Sequence, residues 1–422
     1  MPEQATIQLQ PAGLTLTANV GAPLKDVLHG YGVEFPCGGI GLCTACKVRL
    51  LSGALTLSAE HAQSLRKRNL SGAWRLACMS TVEGDMALEV GQWERFILTD
   101  STSFAFTPQD GHGVAVDLGS TTIVSQLIDL RRGSIVAVQQ GANPQADYGA
   151  DIMSRIAFAQ GDGSSAALLT SLTRRAVGEQ VQRLVASAQA TPKRVVVVGN
   201  TAMHHLFCGL DVAPLAAFPF LTPQLDEVQL APRQLGWALP PEVRVAFAPC
   251  LGGFVGSDVL AGIIAARMHE KEAYSVLIDL GTNGEIVVGN RHGLLCASTA
   301  AGPAFEGSAI SCGMCAATGA CASLPRPPPA QGLQAHVLGG VPPRGICGSG
   351  LIDALALLSA SGDIEPTGAL RGELPALPLT EGVSLSQRDV RELQLAKAAI
   401  ATGVELLMGQ LGIGRRSVEK VY

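Results

Sequence analysis

Polar and apolar residues alternate along residues 6–10 (TIQLQ) and 14–20 (LTLTANV), and period-two alternation on either side of a short gap predicts a β-hairpin. Residues 23–32 (PLKDVLHGYG) read as a short helix stopped at glycine, and CKVRLL (46–51), LACMSTV (76–82) and MALEV (86–90) as further strands. Beyond them, GVAVDLGSTTIVSQLIDL (113–130) predicts an apolar strand ending at Asp117, a tight Gly-Ser-Thr-Thr turn and a second strand. SVLIDLGTNGEIVVGN (275–290) repeats the plan, with Asp279 for Asp117, Gly281 for Gly119 and Thr282 for Ser120. A repeat interval of ~160 residues is too long for a solenoid, so two related halves are expected. Near the end, RDVRELQLAKAAIATGVELLMGQLG carries apolar residues at helical spacing, and a glycine turn then leads through RRSVEK into VY.

Composition narrows the class. The chain has 422 residues, a formal charge of −5, 47% hydrophobic and 15% charged residues, which suits two or three domains with large buried cores. No basic excess favours nucleic acid, and no apolar run reaches the ~18 residues of a membrane span. The start, MPEQATIQLQ, has neither the basic residues nor the apolar core of a signal peptide, so a cytoplasmic protein is expected. Residues 93–113 (WERFILTDSTSFAFTPQDGHG) lie between two strongly patterned regions. The expected organisation is residues 1–95, a linker at 96–112, a first half at 113–272 and a second at 273–422.

Among the 11 cysteines, Cys37, Cys43 and Cys46 share one glycine-rich loop and Cys78 follows 32 residues after Cys46. A disulfide framework suits small secreted chains rather than this one, and structural zinc usually takes two compact ligand pairs. The spacing C-x5-C-x2-C…C is close to the C-x4-C-x2-C…C of plant-type [2Fe–2S] ferredoxins; core cysteines without a role are the plainer alternative. Gly38, Gly39 and Gly41 allow a tight loop whose N–H groups point inward toward sulfur. Residues 4–92 thus resemble a β-grasp ferredoxin of the adrenodoxin-like subgroup. That resemblance implies Cys37, Cys43, Cys46 and Cys78 as the metal ligands.

The two Asp-x-Gly hairpins have a chemistry of their own. A glycine turn exposes N–H groups to phosphate oxygens, hydroxyls add donors, and the carboxylate holds Mg²⁺ through water or positions a nucleophile. One copy is usually just a strand-ending turn, whereas two in the same context resemble the phosphate-1 and phosphate-2 motifs of the actin, sugar-kinase and heat-shock chaperone superfamily, an ATP-binding fold of two α/β halves. ANPQADYGADIMSRI, VVVVGNTAMHHLFCGL, FAPCLGGFVGSDVLAGI, STAAGPAFEGSAISCGMCAATGA and GICGSGLIDALALL extend the resemblance. With the ferredoxin in front, nearly the whole chain resembles the reductive activators of corrinoid-dependent methyltransferases.

The family likeness implies an α/β and α+β multidomain chain: a β-grasp ferredoxin followed by an actin-like ATPase of two halves. It implies a [2Fe–2S] cluster, ATP and Mg²⁺ as cofactors, a corrinoid protein and an electron-donating reductase as partners, and a homodimer. Asp117, Asp279 and Glu306 are then the candidate catalytic residues, and Gly119, Ser120, Thr121, Gly281, Thr282 and Asn283 the candidate nucleotide contacts. Plant-type [2Fe–2S] centres sit near −400 mV and cobalt(I) lies lower still. An uphill gap of ~100–150 mV costs about 2–4 kcal/mol, which ATP hydrolysis covers if nucleotide state is coupled to partner binding. A small-molecule kinase with a redox-sensing ferredoxin, and an electron-transfer module with a non-catalytic docking region, are the rival classes.

Plainer readings stand beside several of these residues. His204 and His205 begin a helix and are expected to bond to nearby backbone rather than to metal. Asp258, opening the helix of SDVLAGIIAARM, satisfies backbone donors. Cys312, Cys315 and Cys321 read as small buried thiols, and LPRPPPAQG as a surface loop. In the family the strand beginning at VY is buried and continues into a Gly-Gly adenosine motif. The expectation for this chain, whose second half stops short of that motif, is weak ATP binding and a normal ferredoxin.

Overall fold

The computed structural model describes the chain apart from residues 1–2, 11–12, 29–30, 32, 34, 36–38, 40, 42–45, 67–69, 71, 91–105, 150, 282, 308, 325–334 and 373–374. Cys37, Cys43, Gly38, Thr282, most of the expected linker and most of the proline-rich loop therefore lie outside the described residues. The chain divides into two compact units. Unit 1 comprises residues 1–99, 280–284 and 300–401, and unit 2 comprises residues 100–279, 285–299 and 402–422.

Unit 1 begins with β1 (Gln4–Gln10), β2 (Leu14–Asn19), α1 (Leu24–Leu28), β3 (Lys47–Ser52), α2 (Ala59–Arg66), β4 (Trp74–Leu76) and β5 (Met86–Val90). They form a mixed sheet in the order β2-β1-β5-β3-β4. β1 pairs antiparallel with β2, as the alternation requires, and parallel with β5. Ile7, Leu9, Leu24, Leu28, Val48, Leu76 and Leu88 are wholly buried beneath it, each such side chain contributing roughly 1.5–3 kcal/mol. One expected strand is corrected: after Leu76 the chain turns into the 3-10 helix Ala77–Met79, so Cys78 sits on a turn and not in a strand. The sequence reading also passed over α2, whose short polar run AEHAQSLR buries only His61 and Leu65.

Unit 2 carries β6 (His112–Leu118), β7 (Thr122–Asp129), β8 (Ser134–Ala142), α3 (Ile152–Ala159), α4 (Ser165–Ala188), β9 (Pro192–Val198), α5 (Thr201–Cys208), β10 (Val228–Leu230), α6 (Pro232–Leu235), β11 (Arg244–Phe247) and α7 (Ser257–Ala265). Its six-stranded sheet runs β10-β11-β9-β6-β7-β8. β9 is parallel to both neighbours, β6 and β11, and an interior parallel strand needs the unbroken valine run found there. α4 buries Leu169, Val177, Val181 and Leu184, the three-to-four residue spacing of one helix face. A second sheet has the order β14-β13-β12-β20, from β12 (Tyr274–Leu280), β13 (Gly284–Asn290), β14 (Gly293–Thr299) and β20 (Val418–Val421). β20 pairs parallel with β12 and is mostly exposed, where the family likeness implies a buried strand.

The remaining elements of the chain are β15 (Ala320–Ser323), β16 (His336–Val337), β17 (Gly345–Ile346), α8 (Gly348–Ser361), β18 (Ala376–Thr380), β19 (Val383–Ser386) and α9 (Gln387–Gln410). All but the end of α9 belong to unit 1. No described helix is long and apolar enough to cross a membrane.

Candidate functional site

In unit 1 the two described members of the cysteine set meet: Cys46 Sγ lies 3.3 Å from Cys78 Sγ. β3 begins directly after Cys46 and β4 ends two residues before Cys78, and the antiparallel pairing of those strands brings the two together. That separation is far beyond a disulfide bond and near the ~3.8 Å between sulfurs on one tetrahedral metal with bonds of ~2.3 Å. Two glycines ahead of Cys46 lie close to the turn that carries Cys78. Gly41 has φ of 75°, and a Cβ there would meet Met79 Sδ at 2.8 Å, while one at Gly39 would meet Cys78 Cβ at 3.6 Å. The donors and their cradle fit a thiolate-held iron–sulfur group.

In unit 2 the first hairpin forms as expected. Asp117 is the penultimate residue of β6, and β6 pairs with β7 up to Leu118 and Ile123. The turn closes by Gly119 N–H donating to Thr122 O at 3.0 Å; a Cβ on Gly119 would sit 2.7 Å from that oxygen. Asn143, wholly buried, braces the turn, donating its Nδ2 to Gly119 O at 2.8 Å and its backbone N–H to Thr121 O at 2.9 Å. The Ser120 and Thr121 N–H groups make no hydrogen bond among the described residues. They remain as donors for an oxyanion.

In the second hairpin Asp279 is the penultimate residue of β12, and Gly281 N–H donates to Asn283 O at 3.0 Å. The tip, residues 280–284, belongs to unit 1, while Asp279 and the strand from Glu285 onward belong to unit 2.

Four carboxylates of unit 2 influence one another. Burial pushes Asp117 up to about 6, aided by the negative charges of Asp258 and Asp279. Burial also raises Asp258 to about 6, with Asp279 adding to it and the Val259 N–H opposing it. Asp279 is raised by burial, and Glu285 is pushed up to about 7 by burial and by Asp279 and Asp258, against a hydrogen bond from Ser298 Oγ at 3.1 Å. Surface area and depth disagree here, since Asp117 and Asp279 are reached by water even though protein surrounds them. Depth accounts for the direction of the shifts, and water access tempers their size. Among the described residues no three His, Cys, Asp or Glu side chains converge tightly enough to hold a bare ion. A Mg²⁺ that keeps its waters and is shared with phosphate oxygens fits this looser set.

Sequence reasoning singled out Asp117 and Asp279, read Asp258 as satisfying a backbone donor, as it does for Val259 N–H at 2.8 Å, and did not single out Glu285. The missed signal was a lone carboxylate in the apolar strand GEIVVGN. Glu306 sits in unit 1, in the 3-10 turn Pro303–Glu306. The histidine expectation is half corrected: His205 bonds Thr201 O at 2.9 Å and Thr222 Oγ1 at 3.0 Å. Neither ring nitrogen of buried His204 makes a close hydrogen bond among the described residues, and its ring packs edge-on to Phe247. Burial, then His205, lowers His204 to about 4, with the Asp226 backbone opposing, so it is a neutral core residue.

Three family models cover most of the chain: the 2Fe-2S iron-sulfur cluster binding domain over residues 7–83, the RACo middle region over 112–271, and the C-terminal domain of RACo, the ASKHA domain, over 273–422. The corrinoid activation enzyme RamQ of Eubacterium limosum is 34% identical over 340 residues, which is 74% of this chain and 56% of that protein. The [Co(II) methylated amine-specific corrinoid protein] reductase of Methanosarcina barkeri is 25% identical over 351 residues, 74% of this chain and 62% of that one. The chain thus spans about three fifths of the length of these relatives. Among solved structures, a reductive activator for corrinoid, iron-sulfur protein superposes with a TM-score of 0.64 at 23% identity, covering 99% of this chain and 85% of that one, which shows the shared fold. By this order of matched regions, the chain belongs to the family that joins a [2Fe–2S] domain to the RACo middle region and the RACo-type ASKHA domain.

Proposed function

We propose that this chain is the electron-carrying and nucleotide-binding part of an ATP-dependent reductive activator, which returns the inactive cobalt(II) of a partner corrinoid protein to cobalt(I) for methyl transfer. The observation that carries the reading is the joining, in one chain, of a ferredoxin domain to a group of mutually repelling carboxylates at and beside two Asp-x-Gly turns. Both relatives are named for corrinoid activation or reduction.

Cys37, Cys43, Cys46 and Cys78 would hold the [2Fe–2S] centre, which when bound supplies one electron at low potential, received from a reductase. Asp117 and Asp279 would orient a hydrated Mg²⁺ on ATP, whose charge relieves their repulsion of Asp258 and Glu285. Ser120 and Thr121 N–H groups would take phosphate oxygens, and Gly281, Thr282 and Asn283 would do so from the second turn. Glu306, on its glycine-flanked 3-10 turn, would serve as a water-orienting carboxylate.

The test measures Mg-ATP turnover and cobalt(I) formation with the chemically reduced holoprotein, with and without a cobalt(II) corrinoid protein. Turnover should rise with the partner, and cobalt(I) should appear only when ATP and an intact cluster are both present. Cys43→Ala should abolish cobalt(I) formation and keep nucleotide binding, whereas Cys315→Ala should change neither. Phosphate transfer to a sugar-like acceptor without any corrinoid protein would replace this reading with a kinase.

A further inference from the structure

Directly after the proposed ligand Cys46, the Lys47 side chain leaves β3 and donates from Nζ to Gly313 O at 2.9 Å and to Ser311 O at 3.4 Å. All of these residues lie in unit 1. On its own side the ammonium lies 5.9 Å from the centre of the Trp74 ring. The receiving loop is held firmly. Wholly buried Asp389 accepts from Ser311 N–H at 2.7 Å and Ser311 Oγ at 3.1 Å, and its other oxygen accepts from Ser386 N–H at 2.8 Å. Cys312 O accepts from Ile346 N–H at 2.8 Å and Met314 N–H donates to Ile346 O at 2.9 Å. The loop is thereby tied both to the start of α9 and to β17.

A second link stands beside the first. Arg344 Nε lies 3.3 Å from Glu89 Oε1 on β5, with the two side chains 24% and 21% exposed. Glu89 Oε2 also faces Arg49 Nη1 at 3.6 Å. Arg344 Nη1 is buried without a hydrogen-bond partner among the described residues, and Glu89 is the carboxylate that compensates the guanidinium there.

The apolar cores do not share this join. The cluster running from Ala5 to Val90 takes its buried members from that segment alone, and the cluster from Met314 to Cys347 takes its members from its own segment. Contacts between domains that rest on charged groups rather than a common core permit the domains to part, and partly exposed ion pairs are worth ~1 kcal/mol or less and weaken with salt.

We propose that the Ser311–Gly313 carbonyls and Arg344 form a releasable seat for the [2Fe–2S] domain, with Lys47 and Glu89 as its two latches, so that the strand beginning at the ligand Cys46 rests against the C-terminal segment until the domain lifts away. Because the latch adjoins the ligand, seating holds that side of the cluster away from an outside partner, and release presents it.

Hydrogen–deuterium exchange on the holoprotein tests this at residues 309–316 and 344–347. Raising NaCl from about 50 to 500 mM should speed exchange there, and Arg344→Glu should do so several-fold at low salt, while Arg344→Lys should retain most of the protection. Lys47→Gln should act in the same direction and Lys47→Arg should not, with the visible cluster spectrum unchanged in every Arg344 variant. Small-angle scattering should report a larger radius of gyration in Arg344→Glu. Exchange and radius that are indifferent to both salt and Arg344→Glu would overturn the seat. Increased exchange with an unchanged radius would overturn the release.

Discussion

The two Asp-x-Gly hairpins are written alike and built differently. Around Gly119 a buried neighbour, Asn143, holds the turn from below with two hydrogen bonds. At Gly281 the turn closes by the bond to Asn283 O, and the following strand supplies another carboxylate, Glu285, bonded to Ser298 on β14. Where the first strand after its turn presents Ile123 and Val124, wholly or partly buried, the second adds charge. One turn is thus stiffened by a buried side chain, while the other is followed by a carboxylate that burial pushes up to about 7. The contrast shows that a repeated motif fixes the local turn and leaves neighbouring structure to decide its task.

The sharpest way to break this division is to neutralise the shared aspartates. Asp117→Asn and Asp279→Asn should each weaken Mg-dependent ATP binding by ~10-fold or more, since each removes a charge that orients the cation, and the cluster spectrum should stay unchanged. Titration calorimetry with Mg-ATP measures it. Equal affinity in both variants would remove the phosphate assignment from both hairpins.

Next in size is a pH effect. Asp117 and Asp258 are raised to about 6 and Glu285 to about 7, so between ~4 and ~7 the folded state binds more protons than the unfolded chain. The contribution of these groups to stability is therefore greatest at low pH and declines as pH rises through that window. Thermal unfolding should show Mg²⁺ with nucleotide stabilising the protein more at pH 7.5 than at pH 5. A stabilisation independent of pH would detach the carboxylates from the cation.

Asn143→Ala tests the brace on the first turn alone. Losing a buried side chain that serves Gly119 O should cost ~1–3 kcal/mol, read as a lower denaturation midpoint, with a loss of ATP affinity smaller than in Asp117→Asn. The smallest effect belongs to Ser298→Ala. Its hydrogen bond holds the Glu285 pKa down, so removal should move the midpoint of pH-dependent Mg-ATP binding upward by a fraction of a pH unit and leave affinity at pH 8 nearly unchanged.

Much of this was legible in the chain. Alternation marked β1, β2 and β5, valine repetition marked β9, and the Asp-x-Gly turns fell where glycine allows close backbone approach, because these features depend on neighbours a few residues apart. The 3-10 turn under Cys78 was not legible, since LACMSTV is apolar enough to pass for a strand. His204 was read as a polar helix start, yet tertiary packing against Phe247 made it core.

What the sequence determined by itself was the local chemistry: four cysteines at ferredoxin spacing, two strand-ending aspartates at glycine turns, and α/β patterning. Only the tertiary structure decided which charges meet. Asp258 and Glu285 have no mark that ties them to Asp117, and Lys47 has none that ties it to Gly313. Such meetings require closure of long chain segments, whose entropic cost is met by strand pairing and core burial elsewhere, so no spacing rule along the chain could announce them.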